Sequence, residues 1–275
     1  MADSFVHLHV HTEYSMLDGA ARVDELLDAA VEQEMPAIAI TDHGNVFGAY
    51  DFYRKARDKG IKPIIGIEAY LTPGTDRRDR TRVRWGSGGE DDVSGAGAYT
   101  HMTLLAESTA GMHNLFRLSS LASIEGFYFK PRMDRELLQT YAPGLIATTG
   151  CPSGEVQTLL RLGKFDEAVA AASDYRDIFG ADNYYCELMD HGLGIERRPR
   201  EDLLRLAKQL GLPLVASNDL HYTHRADAES HAALLCVQSG STMDDPTPCL
   251  LGAPPPADDR GRLSSLSGFG TSPCP

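Results

Sequence analysis

The sequence has 275 residues, 42% apolar and 24% charged, an ordinary globular mix long enough for one large domain or two modest ones. No apolar run approaches the ~18 residues of a membrane span, and the start, Met-Ala-Asp-Ser-Phe, lacks the basic and apolar stretches of a secretory signal, so a cytoplasmic protein with no membrane partner is expected. A net charge of −13, from 26 Lys+Arg against 39 Asp+Glu, makes the summed field repel polyanions; a nucleic acid would have to be held locally, through metals or a partner domain.

Along the chain, short apolar strands alternate with amphipathic helices. Strands are expected at Phe5 to Val10, Ala37 to Thr41, Ile64 to Leu71, Met102 to Ala106, Leu145 to Thr149, Tyr184 to Met189 and Leu214 to Ser217. Helices are expected at Arg22 to Glu34, Phe47 to Lys59, Gly111 to Ala122, Phe165 to Phe179, Arg200 to Leu210 and Asp227 to Val237, where apolar residues recur at three and four. Seven strands each followed by a helix predict parallel strands with right-handed crossovers. Polar residues recur at the ends of at least five of these strands, which favours a closed barrel over an open doubly wound sheet.

Two stretches break the rhythm. Pro73 to Ala98 is long for a connection, holds the only tryptophan, Trp85, and carries Arg77, Arg78, Arg80, Arg82 and Arg84 within eight residues. It reads either as a solvated loop or as a phosphate-contacting one that binds substrate. From Thr247 to Pro275, Pro, Gly and Ser supply 14 of 29 residues and periodicity is lost. Residues 1–246 are therefore expected to form the folded domain, and 247–275 a disordered tail from a truncated or frame-shifted reading of a longer gene.

The chemistry begins in the first strand, where His7, His9 and His11 recur at period two and so share one face. Three imidazoles make a poor core, and His-x-His on a strand lets two neutral rings reach one ion. His43 follows the strand ending at Ile40 and Thr41; Glu68 lies inside an apolar run, where a carboxylate is costly unless paired or metal-bound. Cys151 precedes Pro152 at what reads as a helix opening, whose dipole favours a thiolate, and Asp219 and His221 follow the last strand. His101 fits poorly, since it starts its apolar run instead of ending it. The five cysteines (Cys151, Cys186, Cys236, Cys249, Cys274) are odd in number and lack a CxxC, which argues against a disulfide framework or a zinc ribbon.

With Asp18 added, and His7 set apart because it begins the strand and is expected a layer below the site, these groups number nine: His9, His11, Asp18, His43, Glu68, His101, Cys151, Asp219 and His221. Five imidazoles, three carboxylates and a thiolate exceed one tetrahedral ion and predict two or three metals, with Zn, Mn or Fe favoured over Mg alone. Ions ~3.5 to 4 Å apart would activate a water and stabilise attacking and leaving oxygens at phosphorus.

The segments FVHLHVHTEYSMLDGA, AITDHGNVFGAYDFY, GIKPIIGIEAYL, TGCPSGEVQ, ELMDHG and SNDLHY resemble the polymerase and histidinol phosphatase (PHP) domain at the N-terminus of bacterial DNA polymerase III alpha subunits, the actinobacterial type above all. The resemblance runs from about Ser4 to Pro246. It implies a distorted seven-stranded β/α barrel and a trinuclear metal site at the nine positions above, including Asp18 and His101. It also implies 3′ to 5′ exonuclease activity for proofreading during DNA replication on a DNA 3′ end; in the mechanism expected here, Asp18, Glu68 and Asp219 are the catalytic carboxylates that position the ions. The palm, thumb, fingers and clamp-binding regions of the family are not recognisable, so no polymerase activity is expected of this chain, and the sliding clamp, clamp loader and helicase enter only as partners of the intact subunit. The alternative enzyme is a stand-alone PHP phosphatase acting on a small monoester such as histidinol phosphate. The alternative from another class is a non-catalytic, metal-stabilised scaffold.

Overall fold

The computed structural model describes residues 5–87 and 92–244, together with the backbone pairing of Gly270–Thr271. The chain divides into two compact units. The first comprises Met1–Asp42, Phe47–Ile65 and Asn218–Cys274, the second His43–Val46 and Gly66–Ser217 with the terminal Pro275. The mixed α/β class read from the sequence is the class observed. The expected tail, 247–275, lies outside the described residues apart from Gly270–Thr271, whose backbone pairs antiparallel with the strand Leu220–Tyr222.

In the first unit, helices α1 (Val23–Glu32) and α2 (Ala49–Asp58) follow the predicted patterns. Val23, Leu26, Leu27 and Ala30 on α1 and Ala49, Phe52 and Ala56 on α2 are buried, the spacing that puts one apolar stripe on each helix. Lys55 reaches Asp24 at 2.9 Å, and Lys59 pairs with Asp28, so exposed charges tie α1 to α2. Strand β1 (Ala37–Ile40), buried throughout, runs parallel to the first four residues of β2 (Lys62–Leu71).

The strand expected at Phe5 to Val10 is a correction. The segment is extended but joins no regular ladder; single backbone bonds hold it, Ala39 N–H to the His7 carbonyl (2.9 Å), Thr41 N–H to Val10 (2.8 Å) and Leu220 N–H to His9 (3.0 Å). The alternation holds only from Val6 to His9, where His7 and His9 are buried and Val6 and Leu8 half-buried; it ends at Val10, which is fully buried like His9 and His11 on either side.

In the second unit the strands β3 (Thr100–Ala106), β4 (Phe127–Tyr128), β5 (Lys130–Met133), β6 (Leu145–Thr148), β7 (Tyr184–Leu188) and β8 (Leu214–Ala216) join the last six residues of β2 in the order β4-β5-β2-β3-β6-β7-β8. The expectation of uniformly parallel strands is corrected here. β2–β5, β6–β7 and β7–β8 are parallel, but β3 is antiparallel to both β2 and β6. The β4–β5 hairpin was not legible in the sequence, because it is two to four residues long with no Gly at its turn.

Helix α3 (Thr109–Glu125) buries Leu115, Leu118 and Ala122 and is capped by Ser108, whose hydroxyl accepts from Gly111 N–H. Asp134 caps α4 (Arg135–Tyr141) through Leu137 N–H at 3.0 Å. Helices α5 (Glu155–Arg161), α6 (Phe165–Phe179) and α7 (Arg200–Leu210) follow, and α8 (Ala228–Ser239) belongs to the first unit.

The Pro73 to Ala98 stretch is fastened by arginines. Arg132, fully buried on β5, donates to the carbonyls of Gly126 (3.1 Å), Ala98 (3.1 Å), Arg77 (3.0 Å) and Asp79 (2.8 Å). Four carbonyls are thereby satisfied by one guanidinium, and of them Gly126 also accepts the Arg132 backbone N–H. Arg132→Met keeps the volume but removes the side-chain donors from all four; we expect a loss of ~3 kcal/mol in unfolding free energy by urea titration and faster tryptic cleavage within residues 77–84. Unchanged stability would mean that water replaces the guanidinium without penalty.

Candidate metal centres

In the first unit, a buried carboxylate gathers imidazoles. Asp219 is fully buried, and its Oδ1 lies 3.4 Å from His9 Nε2 and 3.1 Å from His11 Nε2. The His11 and His221 rings stack with centroids 4.3 Å apart. Asp219 takes φ +45°, a left-handed conformation that Asp tolerates better than most residues. It immediately precedes β9 (Leu220–Tyr222), which pairs with Val10, so backbone pairing brings a residue near the end of the unit beside histidines at its beginning.

The tautomers follow from the partners. His221 Nδ1 is 2.8 Å from the Asp219 carbonyl; a carbonyl only accepts, so Nδ1 carries the proton and Nε2 keeps its lone pair unless a second proton binds. Ser15 donates its single hydroxyl proton to Asp42 Oδ1 (2.8 Å) and accepts from His11 Nδ1 (3.1 Å), which fixes His11 in the same tautomer. Asp42 also takes Thr12 N–H (2.6 Å) and the Thr12 hydroxyl (2.9 Å), and so pins the turn that follows His11. The Nε2 atoms of His9 and His11 face one carboxylate oxygen, which suits a shared cation, and the other ring nitrogen of His11 is held by Ser15 as those of metal-ligating histidines usually are held. His9, His11 and Asp219 each place a donor atom within 4.8 Å of the others.

Asp18 lies on the loop from Glu13 to Ala21. A side chain at Gly19 would meet the Thr12 carbonyl at 1.9 Å, so only glycine lets this loop close on the Thr12–Ala21 bridge. Asp18 is buried; its carbonyl accepts from His231 Nε2 (2.8 Å) and its Oδ2 from Gln238 (3.3 Å), both on α8. His7 stands differently. Its ring packs edge-on against Phe5 at 4.9 Å, and burial lowers its pKa to about 4, leaving it neutral.

In the second unit, Glu68 on β2 is fully buried, with Oε2 2.5 Å from His43 Nδ1 and Oε1 3.2 Å from His101 Nδ1. His43, Glu68 and His101 form a second cluster with donor atoms within 4.8 Å of one another. The antiparallel course of β3 resolves the awkward position of His101. The start of β3 lies beside the end of β2, with His101 opposite Tyr70. Cys151 Sγ lies 3.7 Å from His101 Nδ1. Cys151 is not at a helix opening, as read from Pro152. It sits in a turn closed by Gly154 N–H on the Cys151 carbonyl, ahead of α5.

Burial raises the Glu68 pKa, but the charges and hydrogen bonds of His101 and His43 outweigh it and hold Glu68 well below the carboxylate range. Burial lowers the His101 pKa, and the charges of Glu68 and Cys151 overcome that and lift it to about 9. Glu68 thus favours the protonated form of His101, and a cation held by these residues would compete with that proton.

The nine predicted positions fall five to the first unit (His9, His11, Asp18, Asp219, His221) and four to the second (His43, Glu68, His101, Cys151). The five loop arginines separate. Arg77 is withdrawn from the substrate-binding set. Its side chain is 8% exposed and bonded to Glu125 (2.7 Å), Asp134 (2.9 Å) and Glu136 (3.0 Å). Asp76, Asp134 and Glu136 would otherwise resemble a cation site, but Arg77 occupies Asp134 and Glu136. Arg78 pairs with Glu125 and Asp76, whereas Arg80, Arg82 and Arg84 are exposed. Sequence reasoning missed Asp42, Ser15 and His231 as orienting groups; the one available signal was Asp42 standing next to His43.

Asp42→Asn should preserve the fold and weaken zinc binding by about 10- to 100-fold, read by competition with a chromogenic chelator. Wild-type affinity in the variant would show that Ser15 orients His11 unaided.

The chain is 64% identical over 253 residues to the DNA polymerase III subunit alpha of Saccharopolyspora erythraea and 57% identical over 246 residues to that of Mycobacterium tuberculosis, in each case covering 88% of this chain and 21% of the relative. The chain therefore spans about a fifth of the length of the curated relatives it matches. Among solved structures, an amidohydrolase from Chromobacterium violaceum aligns with TM-score 0.48 at 14% identity, over 79% of this chain and 87% of that one. No helix among the described residues is long and apolar enough to cross a membrane. Residues 7–191 match the PHP domain, and the chain belongs to that family.

Proposed function

We propose that this chain is the PHP portion of a replicative DNA polymerase III alpha subunit and acts as a metal-dependent phosphodiesterase that releases nucleotides from a DNA 3′ end. One observation carries the reading: each unit holds a fully buried carboxylate, Asp219 or Glu68, facing two imidazole nitrogens. His9, His11, Asp18, Asp219 and His221 would hold ions in the first unit, and His43, Glu68, His101 and Cys151 in the second. Nitrogen donors with a single sulfur favour Zn, Mn or Fe over Mg. Bound divalent ions supply Lewis acidity toward phosphoryl oxygens and lower the pKa of water. The chain's own contribution is orientation. Ser15 and the Asp219 carbonyl hold the Nδ1 protons of His11 and His221, Asp42 fixes the turn beside them, and burial keeps competing water from the carboxylates.

The similarity to DNA polymerase III alpha subunits favours a nucleic-acid diester over a small monoester as substrate. Asp219→Asn should bind metal poorly, stay folded and lose at least ~100-fold in mononucleotide release from a 3′-labelled single strand, with the wild type inhibited by a chelator and restored by Mn or Zn. Faster turnover of histidinol phosphate or p-nitrophenyl phosphate than of the DNA end would replace this reading with a monoesterase. Bound metal with neither activity would leave a scaffold.

A further inference from the structure

The hairpin between β4 and β5 reverses on one residue. Tyr128 pairs with Lys130, so Phe129 alone makes the turn, with φ +61°. A bulky aromatic in the left-handed region is unfavourable where Gly or Asn fits at little cost. Burial does not offset the strain, since Phe129 is 59% exposed and Phe127 58% exposed. Strained residues held against their own preference are concentrated at ligand clamps and active sites.

The surroundings are cationic. The Arg82 guanidinium lies 5.3 Å from the centre of the Phe129 ring and donates to the Tyr128 hydroxyl at 3.4 Å. Arg77 and Arg78 occupy the neighbouring carboxylates Glu125, Asp134, Glu136 and Asp76. Among the described residues Arg80, Arg82 and Arg84 form no ion pair; Arg82 lies against the hairpin rings, and Arg80 and Arg84 are exposed two residues to either side of it in the sequence. Arg132 locks the arginine loop to the hairpin by binding the Arg77, Asp79 and Gly126 carbonyls, and the array is held in place before any ligand arrives.

The patch is continuous with the Glu68 cluster within the same unit. Lys130 Nζ lies 5.2 Å from the centre of the Tyr70 ring, and that ring stacks on His43 (5.8 Å, 22°) and meets His101 edge-on (5.0 Å). A ligand that offers flat π-faces and regularly spaced negative charge satisfies both the exposed rings and the exposed cations. Single-stranded nucleic acid has both; in a duplex the base faces are stacked away.

We propose that the β4–β5 tip with Arg80, Arg82, Arg84 and Lys130 is a stacking platform for single-stranded DNA, leading the strand toward the Glu68 cluster. Its purpose rests on the phosphodiesterase reading; its binding does not. The test therefore uses the whole chain in chelator, with a fluorescein-labelled oligothymidylate of about 16 nucleotides followed by anisotropy.

Phe129→Gly keeps the turn and removes the ring. It should weaken binding at least about fivefold while thermal stability stays equal or rises. The triple change Arg80→Ala, Arg82→Ala, Arg84→Ala should make the slope of log affinity against log salt shallower by about two. A blunt duplex of the same length should bind more weakly than the single strand. No measurable binding by the wild type at about 50 mM salt, or wild-type affinity in Phe129→Gly, overturns the platform and assigns the hairpin to a protein contact. Failure of the phosphodiesterase reading would appear elsewhere, as absent nucleotide release by metal-loaded protein that binds the strand normally.

Discussion

Two carboxylates with no access to water, Asp219 and Glu68, set the terms for the rest of this molecule. A buried carboxylate without compensation is costly enough that it would take up a proton instead. The chain meets the cost with imidazoles, which then need orienting, and the orienting groups account for much of the buried polar inventory. In the Glu68 cluster the compensation is internal, because Glu68 and Cys151 favour the protonated form of His101. In the Asp219 cluster it is not internal to the same degree. The Nδ1 protons of His11 and His221 are already committed to Ser15 and to a carbonyl, so further positive charge at Asp219 must come from a second proton on an imidazole or from a metal. This asymmetry follows from hydrogen-bond partners alone.

The fold was legible where one surface decides an element. The stripes on α1, α2 and α3 and the apolar runs of β1, β2 and β6 lie within one to three residues of their predicted bounds. Strand direction was not legible, because hydrophobic period carries no sign, and β3 is the strand where direction matters. Read as parallel, it strands His101 at the wrong end; read as antiparallel, it brings His101 opposite Tyr70. The period-two histidines show a related limit. Their alternation correctly marks a buried face, yet the segment is held by isolated bonds to Ala39, Thr41 and Leu220 instead of a ladder. Alternation reports which side is buried, not what lies alongside.

The site residues divide in a similar way. Glu68 declared itself as a charge inside an apolar run, and Asp219 and His221 by their place at a strand end. Asp18 had no such signal in the strand pattern, which alone ranks it low, since its burial depends on a glycine-closed loop and on α8, more than 200 residues away. Asp42 was hidden for a different reason. Its role depends on Thr12 and Ser15, 30 and 27 residues earlier in the chain, and no local pattern records such pairs. The five loop arginines are equivalent in composition and separate only because Glu125, Asp134 and Glu136 lie 48 to 59 residues further on.

The net charge of −13 constrains how such a chain could engage a nucleic acid. At an ionic strength of ~0.1 M the field decays over ~10 Å, so acidic residues elsewhere slow the approach of a polyanion more than they weaken contacts once made. A short basic segment can then act locally, provided its cations are not consumed by their own neighbours. Arg77 and Arg78 perform that consumption, and in doing so release Arg80, Arg82 and Arg84 from it. Stacking on exposed rings adds an attraction that salt and net charge barely alter. In an acidic chain the aromatic component carries proportionally more of the discrimination between single strand and duplex, which gives an exposed, strained phenylalanine at the tip of a hairpin a physical reason to be there.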